Sequence, residues 1–321
     1  MTKNHFRKLE QGFSVPLPAD EDGFVGRECP NEACLGRFMV KFGTGLKGEN
    51  LPCICPYCGH KGPHDQFLTK EQAAYLESVV LREVSKAFRG MVGEWDKDLR
   101  RQTRGGLIQM QVDFKAQHKP IRYYQEKSLE TEVTCVNCTL AYKIYGEFAY
   151  CPDCGIHNSL QILQKNLELA RKELDLAAGQ DVDFADHLTR DALENCVSAF
   201  DGFGRELARI HADKSNDPDR ASRISFQNLD GVQKNLLMFY GIDLAAGVFE
   251  AEWDELRRAF QKRHVLAHKM GVADAEYVAK AKDPNAVEGR KILVSANEVR
   301  NLIELVLKLA HHLIAEFDKL P

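Results

Sequence analysis

The chain has 321 residues, of which 44% are hydrophobic and 28% charged, and its formal net charge is −4. These values are typical of a globular protein of about two domains, and they exclude a chain that is basic over its whole length. No apolar run approaches the roughly 18 residues that a membrane-spanning helix needs, and residues 1–10 lack the apolar core of a signal peptide. We therefore expect a cytoplasmic protein with no membrane partner.

Ten cysteines in a reducing compartment indicate metal binding rather than disulfides. One signature occurs twice, as Cys55-Pro56-Tyr57-Cys58-Gly59 and as Cys151-Pro152-Asp153-Cys154-Gly155. A further cysteine pair precedes each copy, and two such pairs supply the tetrahedral site of a zinc ribbon. The sequence predicts two structural zinc ions per chain. Their ligands are Cys29, Cys34, Cys55 and Cys58 at the first site, and Cys135, Cys138, Cys151 and Cys154 at the second.

The first ribbon is predicted at residues 1–68 and the second at residues 131–158. Cys53 lies beside Cys55 and is an alternative ligand for the first site. Cys196 falls in a helical run of core residues, so we expect an ordinary buried thiol there. Residues such as Tyr142 and Ile144, beside the second cysteine pair, favour short strands.

Between the ribbons, residues 69–130 are predicted to form a small α/β element with a basic segment. Thr69 and Gln72 fit a capping box that opens a helix running to about Phe88. Alternating apolar residues predict a strand at 108–114, with 121–124 as its partner. Residues 97–122 hold seven basic and two acidic residues, so RNA contacts are predicted there, at Arg100, Arg101 and Arg104. A solvated basic face is the alternative interpretation.

From residue 159 onward the pattern is helical. We predict helices at 159–178, 185–212, 225–240, 248–270, 273–281 and 296–319, with breaks at glycine and proline. Residues 289–294 are expected to form a brief extended segment. The first helix belongs to a connector at 159–184, and residues 185–321 form a helical bundle.

Within the fourth of these helices, Arg263 is followed by His264 and, five positions after the arginine, by His268. An arginine supplies a permanent cation for phosphate, and an imidazole titrates near neutral pH. Positions five apart lie about 140° apart on an ideal helix, so either the helix loosens before Gly271 or the site is a groove reached from both sides. Two bland alternatives remain: Arg263 pairs with Asp254 or Glu255, or the two histidines form half of a metal site.

Over residues 185–321 the chain resembles the HEPN superfamily of helical ribonucleases. The resemblance rests on the Arg-His-x3-His core, on Gly271, Asp274 and Tyr277 after it, on an extended piece around Gly289 and on a closing amphipathic helix near Glu298. It implies a bundle that dimerises and places Arg263 and His268 of both protomers in one cleft, with His264 in the variable polar position. One subset of the superfamily has a tyrosine where this chain has Met270.

The expected fold class is therefore α+β multidomain: two zinc ribbons, each with four cysteine ligands, and a small α/β element, followed by an all-α HEPN-like bundle. The expected function is that of a metal-independent endoribonuclease that cleaves RNA by attack of the 2′-hydroxyl group. By resemblance it acts as a toxin or anti-phage effector, with the ribbons binding RNA or a trigger protein or nucleic acid. A non-catalytic HEPN-like scaffold and a zinc-ribbon nucleic-acid adaptor are the alternatives. Glu250, Glu252 and Asp254 are candidates to orient His268.

Overall fold

The computed structural model describes residues 12–48, 51–104, 112, 120–126, 129 and 131–321. The chain divides into two compact units, Met1–Ile156 and His157–Pro321. The fold is mixed α+β, with small antiparallel sheets in the first unit and mainly helices in the second. Within the described residues, no helix is both long and apolar enough to cross a bilayer.

The first unit is built on one four-stranded antiparallel sheet with strand order β1-β2-β6-β5. A two-stranded sheet, β3-β4, lies between these strands in sequence. One hairpin, β1-β2, precedes the first cysteine signature, and another, β5-β6, precedes the second. The two hairpins join edge to edge, since β2 pairs with β6. The two ribbons predicted as separate modules share a sheet and a core. The strands are β1 Phe24–Glu28, β2 Arg37–Lys41, β3 Cys53–Ile54, β4 Lys61–Gly62, β5 Thr131–Thr134 and β6 Ala141–Ile144.

Helix α1, Lys70–Gln102, opens with the predicted capping box, in which Thr69 and Gln72 bond each other's backbone N–H groups. It runs well past the predicted end near Phe88. Glycine in a helix interior costs about 1 kcal/mol relative to alanine, yet the helix continues through Gly90 and Gly93. An ion pair between Asp96 and Arg100, one helical turn apart, supports the last turns.

The predicted strand partner at 121–124 is wrong, because these residues lie in no strand. Side chains of α1 hold them instead. The Ser78 hydroxyl accepts the backbone N–H of Arg122 at 3.1 Å, and the rings of Tyr123 and Tyr124 lie about 6 Å from that of Tyr75. Of the strand predicted at 108–114, all but Val112 lies outside the described residues.

The second unit contains seven helices among its described residues. Six of them match the predicted helices to within about four residues at each end, and the seventh, the one-turn helix Pro218–Ala221, was not predicted. The seven helices are α2 Ser159–Ala177, α3 Val182–Ile210, α4 Pro218–Ala221, α5 Leu229–Tyr240, α6 Glu250–Lys269, α7 Ala275–Ala281 and α8 Ala296–Asp318. Caps account for the agreement: Asp181, Asn228 and Ser295 accept the backbone N–H groups that open α3, α5 and α8.

Helix α2, predicted as part of a connector, contributes to the core of the second unit. Leu163, Leu167 and Leu174 are buried in the same apolar cluster as residues of α3 and α8. A polar contact also joins the two helices, since Asn195 on α3 donates to the carboxylate of Glu173 on α2. The apolar stripe of α2 therefore packs against helices, where a connector helix would leave it to solvent.

The segment between α6 and α8 returns on itself. Gly289 donates its backbone N–H to Ala273 at 2.8 Å, and Ile292 donates to Gly271 at 2.8 Å. Val272 and Lys291 form an isolated antiparallel bridge between these bonds. The predicted extended piece at 289–294 is thus a short backbone ladder that seats the chain just after the histidines.

Candidate metal centres and candidate active site

Eight cysteines converge into two groups of four, and each group could hold a metal ion. Sγ–Sγ distances are 3.7 Å for Cys29–Cys58 and for Cys34–Cys55. In the second group the Sγ–Sγ distances are 3.6 Å for Cys135–Cys154 and 3.4 Å for Cys138–Cys151. Four thiolates about 2.3 Å from a tetrahedral zinc ion lie about 3.8 Å apart. The spacing therefore fits such an ion. The groups are Cys29, Cys34, Cys55 and Cys58, and Cys135, Cys138, Cys151 and Cys154.

The backbone around each group is arranged to accept thiolates. Burial raises the pKa of Cys29 to about 11 and that of Cys138 to about 11. Burial opposes ionisation of Cys58 and Cys154 as well, but backbone N–H groups and neighbouring thiols lower the pKa of both. Four thiolates this close would repel one another strongly without a cation between them. Each group could therefore hold a metal ion.

The alternative ligand Cys53 lies outside the first group. It sits in β3 opposite Gly62 and is fully buried. Burial raises the pKa of Cys53 to about 12, which keeps its thiol protonated. Cys196 is buried in the helical core as expected, and burial raises the pKa of its thiol to about 12. Cys55 thus completes the first group.

The two cysteine signatures contact each other through matched backbone hydrogen bonds. The N–H of Ile54, just before Cys55, donates to the carbonyl of Pro152 at 2.8 Å. The N–H of Tyr150, just before Cys151, donates to the carbonyl of Pro56 at 2.8 Å. The two hydrogen bonds are equivalent: in each, the residue before one signature donates to the proline inside the other signature. The first unit therefore has an approximate internal two-fold relationship.

The motif histidines lie near the C-terminal end of α6. The helix continues without a break to Lys269 and ends at Met270 and Gly271, both with positive φ. It does not loosen before Gly271. His264 and His268 are exposed, and their ring centroids are 4.9 Å apart. These two imidazoles, one helical turn apart, form a pair on the exposed face of the helix end.

Arg263 is held by a neutral partner. Its Nη1 donates to Oε1 of Gln227 at 3.2 Å. Among the residues that the structure describes, no carboxylate lies within 4 Å of its guanidinium group. Asp254, an expected partner, pairs instead with Arg257 and Lys282. Arg263 therefore forms no ion pair with any acid that the structure describes.

The pKa of His264 depends on the charges of the residues around it. Burial, followed by the charges of His268, Lys269 and Arg263, lowers the pKa of His264 below its ordinary value of 6.5. Glu276 opposes this shift. His264 also lines a cavity of about 90 Å³ between α6 and the start of α5. At neutral pH the His264 imidazole is thus held mainly neutral.

The other motif residues shape the backbone. Gly271 adopts φ +75°, which favours glycine. Asp274 caps α7 by accepting the N–H of Tyr277 at 2.9 Å and pairs with Lys269. Tyr277 is buried, and its hydroxyl donates to Asp283 at 2.6 Å. These residues fix the turn after His268 and contact neither histidine ring.

The acids proposed to orient His268 are occupied elsewhere. Glu252 binds Lys308 and the N–H of Phe249, and Asp254 binds Lys282. Glu250 begins α6, so the length of the helix separates it from His268. In the part of the chain that the structure describes, no carboxylate lies within 4 Å of either ring nitrogen of His268.

The three predicted RNA-binding arginines are exposed near the end of α1. Arg100 pairs with Asp96 at 2.8 Å and Arg101 with Asp98 at 3.6 Å. Their charges are partly balanced on the same helix. Most of the basic segment that follows Arg104 lies outside the described residues.

Sequence reasoning missed two buried charged residues next to the motif. Lys262 is 5% exposed, and its Nζ donates to the carbonyl of Leu293 and to Glu298, each at 2.7 Å. Asp201, on α3, is 6% exposed and accepts a hydrogen bond from Gln227, the partner of Arg263. The apolar residues Val265 and Leu266, one helical turn after Lys262, were the available signal for the first; nothing local marks the second.

Comparisons with models of protein families, with curated proteins and with solved structures found no match to this chain.

Proposed function

We propose that the second unit is a HEPN-type, metal-independent endoribonuclease whose active site contains Arg263, His264 and His268. The observation that carries the proposal is the guanidinium of Arg263, which forms no ion pair with a described acid, on the same helix end as two exposed imidazoles. A free cation and a titratable base are the two groups that cleavage of RNA by its own 2′-hydroxyl requires. The resemblance over residues 185–321 supports the same assignment.

In the proposed reaction, His268 accepts the proton of the ribose 2′-hydroxyl, whose oxygen attacks the adjacent phosphorus. Arg263 binds the phosphate oxygens and stabilises the charge that grows on them. The bond from phosphorus to the 5′-oxygen breaks, and a protonated imidazole donates to that oxygen. The products are a 2′,3′-cyclic phosphate and a 5′-hydroxyl. The lowered pKa of His264 leaves its imidazole mainly neutral at neutral pH, so His264 is a poor donor of this proton.

The proton donor then comes from a second copy of the chain. A HEPN-like dimer would place His268 of the partner subunit on the other side of the scissile phosphate. This arrangement accounts for the exposure of both histidines, because a groove between two protomers would complete the site. Light scattering on purified protein tests the dimer directly.

The first unit is proposed to bind two zinc ions in its cysteine groups and to recognise RNA or a trigger. The ions would be structural, since four cysteines saturate a tetrahedral ion and leave no position for water or substrate. A role as a toxin or anti-phage effector, kept idle until a trigger appears, is part of the same proposal.

The decisive experiment compares the purified wild type with Arg263→Ala and His268→Ala on bulk tRNA and mRNA. The buffer is freed of Mg²⁺ by a resin rather than by added chelator, and metal content is measured before and after. Arg300→Ala and His187→Ala are matched controls, because both side chains are exposed on the surface of the same unit and lie beside a carboxylate, Asp175 and Asp191 respectively. We expect cleavage by the wild type and the controls, and a loss of about 10³-fold in the two motif variants.

Product chemistry provides the second criterion. The 5′ fragments should end in a cyclic phosphate, and an oligonucleotide with a single 2′-deoxy substitution at the cleaved position should resist. Equal cleavage of the deoxy-substituted RNA contradicts the mechanism. If the wild type and all the variants bind RNA but none of them cleaves it, the result supports a non-catalytic scaffold instead.

A further inference from the structure

Arg263 stands at one end of a chain of hydrogen bonds that begins on another helix. Oδ1 of the buried Asp201 on α3 accepts the backbone N–H of Phe226 at 2.6 Å. Its Oδ2 accepts Nε of Arg205 at 2.9 Å and Nε2 of Gln227 at 3.1 Å. Oε1 of Gln227 then accepts Nη1 of Arg263 at 3.2 Å. A buried carboxylate is thus connected to the guanidinium through one carboxamide.

The donors and acceptors in this chain allow a single orientation of Gln227. An ionised carboxylate only accepts hydrogen bonds, and a guanidinium only donates them. The amide nitrogen of Gln227 must therefore face Asp201, and its oxygen must face Arg263. Gly204 seats the same segment closely on α3, because a Cβ there would overlap the Phe226 ring. Gln227 is fixed both by its backbone neighbour and by its side chain.

Other arginines of this unit are held differently. Arg190 pairs with Asp186 at 2.6 Å, and Arg257 pairs with Asp230 at 2.8 Å. A carboxylate would orient Arg263 equally well, but it would also neutralise the charge that a phosphate needs. At Arg263 the carboxylate of Asp201 does not bond the guanidinium directly, because the neutral amide of Gln227 lies between them.

We infer that Asp201 and Gln227 are positioning residues for Arg263, which orient its guanidinium through a neutral oxygen and leave its charge to the phosphate of the substrate. This inference rests on the proposed function in one respect, that the target of Arg263 is a phosphate. It goes beyond the Arg-His motif, since both residues lie outside it and on other segments of the chain.

The test reverses which group donates and which accepts in the hydrogen bond between positions 201 and 227. In the double variant Asp201→Asn with Gln227→Glu, the introduced amide donates to the introduced carboxylate. The hydrogen bonds between positions 201 and 227 and between position 227 and Arg263 persist, the bond from Nε of Arg205 to position 201 is lost, and a negative charge faces Arg263. Binding of a 2′-O-methyl RNA oligonucleotide, which cannot be cleaved, is followed by fluorescence anisotropy. We expect the double variant to fold and to bind about tenfold more weakly, like Arg263→Met. Gln227→Met, which adds no charge, should lose only about threefold.

A double variant that folds and binds the oligonucleotide as well as the wild type overturns the inference. A second readout needs no RNA. In ¹⁵N spectra of the arginine side chains, the Nε–H signal of Arg263 is assigned by its loss in Arg263→Met. It should shift in both Gln227→Met and Asp201→Asn, and an unmoved signal overturns the relay. If the wild type neither binds nor cleaves RNA, the proposed function fails, while this spectrum still decides whether the relay exists.

Discussion

The backbone N–H of Tyr150 donates a 2.8 Å hydrogen bond to the carbonyl oxygen of Pro56, so the residue before one cysteine signature touches the interior of the other. The reciprocal bond joins Ile54 to Pro152 at 2.8 Å. Strand β2 pairs with β6 in the same unit, with Met39 opposite Lys143. Each cysteine group is therefore braced by the turn that carries the other.

This bracing predicts that the two metal sites fail together. Cys138→Ser removes one ligand of the second group, and its turn then loses the order that positions Tyr150 against Pro56. We expect both metal ions to be lost, as measured by elemental analysis after gel filtration. Cys53→Ala is the matched control, because Cys53 is buried near the first group but outside it. It should retain both ions. Loss of a single ion from Cys138→Ser would show that the sites are independent.

Lys262 should be among the most sensitive buried positions of the second unit. Removing its ammonium group by Lys262→Met leaves the carboxylate of Asp283, 6% exposed, without its nearby cation. Breaking a buried ion pair on one side costs about 3 kcal/mol. Chemical denaturation should show that decrease in the free energy of unfolding. Lys280→Met is the control, since Lys280 is exposed and pairs with Glu276 on the surface. Equal stability of the two variants would contradict the prediction.

Glu206 should make the second unit sensitive to acid. Burial would raise the pKa of Glu206, but hydrogen bonds and charges from Arg209 and His157 outweigh it and lower the pKa from 4.5 to about 2. A lowered folded-state pKa stabilises the fold above pH 4.5, and this stabilisation disappears as the pH falls towards 2. The contribution is at most about 3 kcal/mol.

Glu206→Gln should therefore flatten the decline in stability between pH 4.5 and 2. The difference between variant and wild type is the informative quantity, because acid also protonates the other carboxylates of the chain. Glu168→Gln serves as the control, since Glu168 is an exposed partner of Lys172. An identical acid profile for Glu206→Gln and the wild type would rule out the assignment.

His264 should titrate below 6.5, and its pKa should rise when nearby positive charge is removed. After burial, the largest causes of the lowered pKa are His268 and Lys269. His268→Gln and Lys269→Met should each move the pKa of His264 upward, as followed by NMR of the imidazole Cε1–H signal. Lys308→Met, whose ammonium binds Glu252, should leave it unchanged. A downward shift in either variant would contradict this electrostatic account.

Much of the second unit could be predicted because its signals are local. The start of α8 follows from Ser295 and Glu298, which bond each other's backbone N–H groups three residues apart. The end of α6 follows from Gly271 and its positive φ. The end of α1 was missed, because Gly90 and Gly93 are weak breakers when a surface ion pair supports the helix after them.

The sequence by itself determined most helix boundaries of the second unit, the second cysteine quartet, three members of the first quartet and the positions of Arg263, His264 and His268. Only the tertiary structure decided that Cys55 rather than Cys53 joins the first quartet, that Arg263 faces Gln227 rather than an acid, and that Lys262 is buried. The physical reason is separation along the chain. Caps and paired thiols act over three to five residues, so their pattern is written locally. The partners of Arg263 and Lys262 lie more than 20 positions away along the chain, and only tertiary packing brings them together.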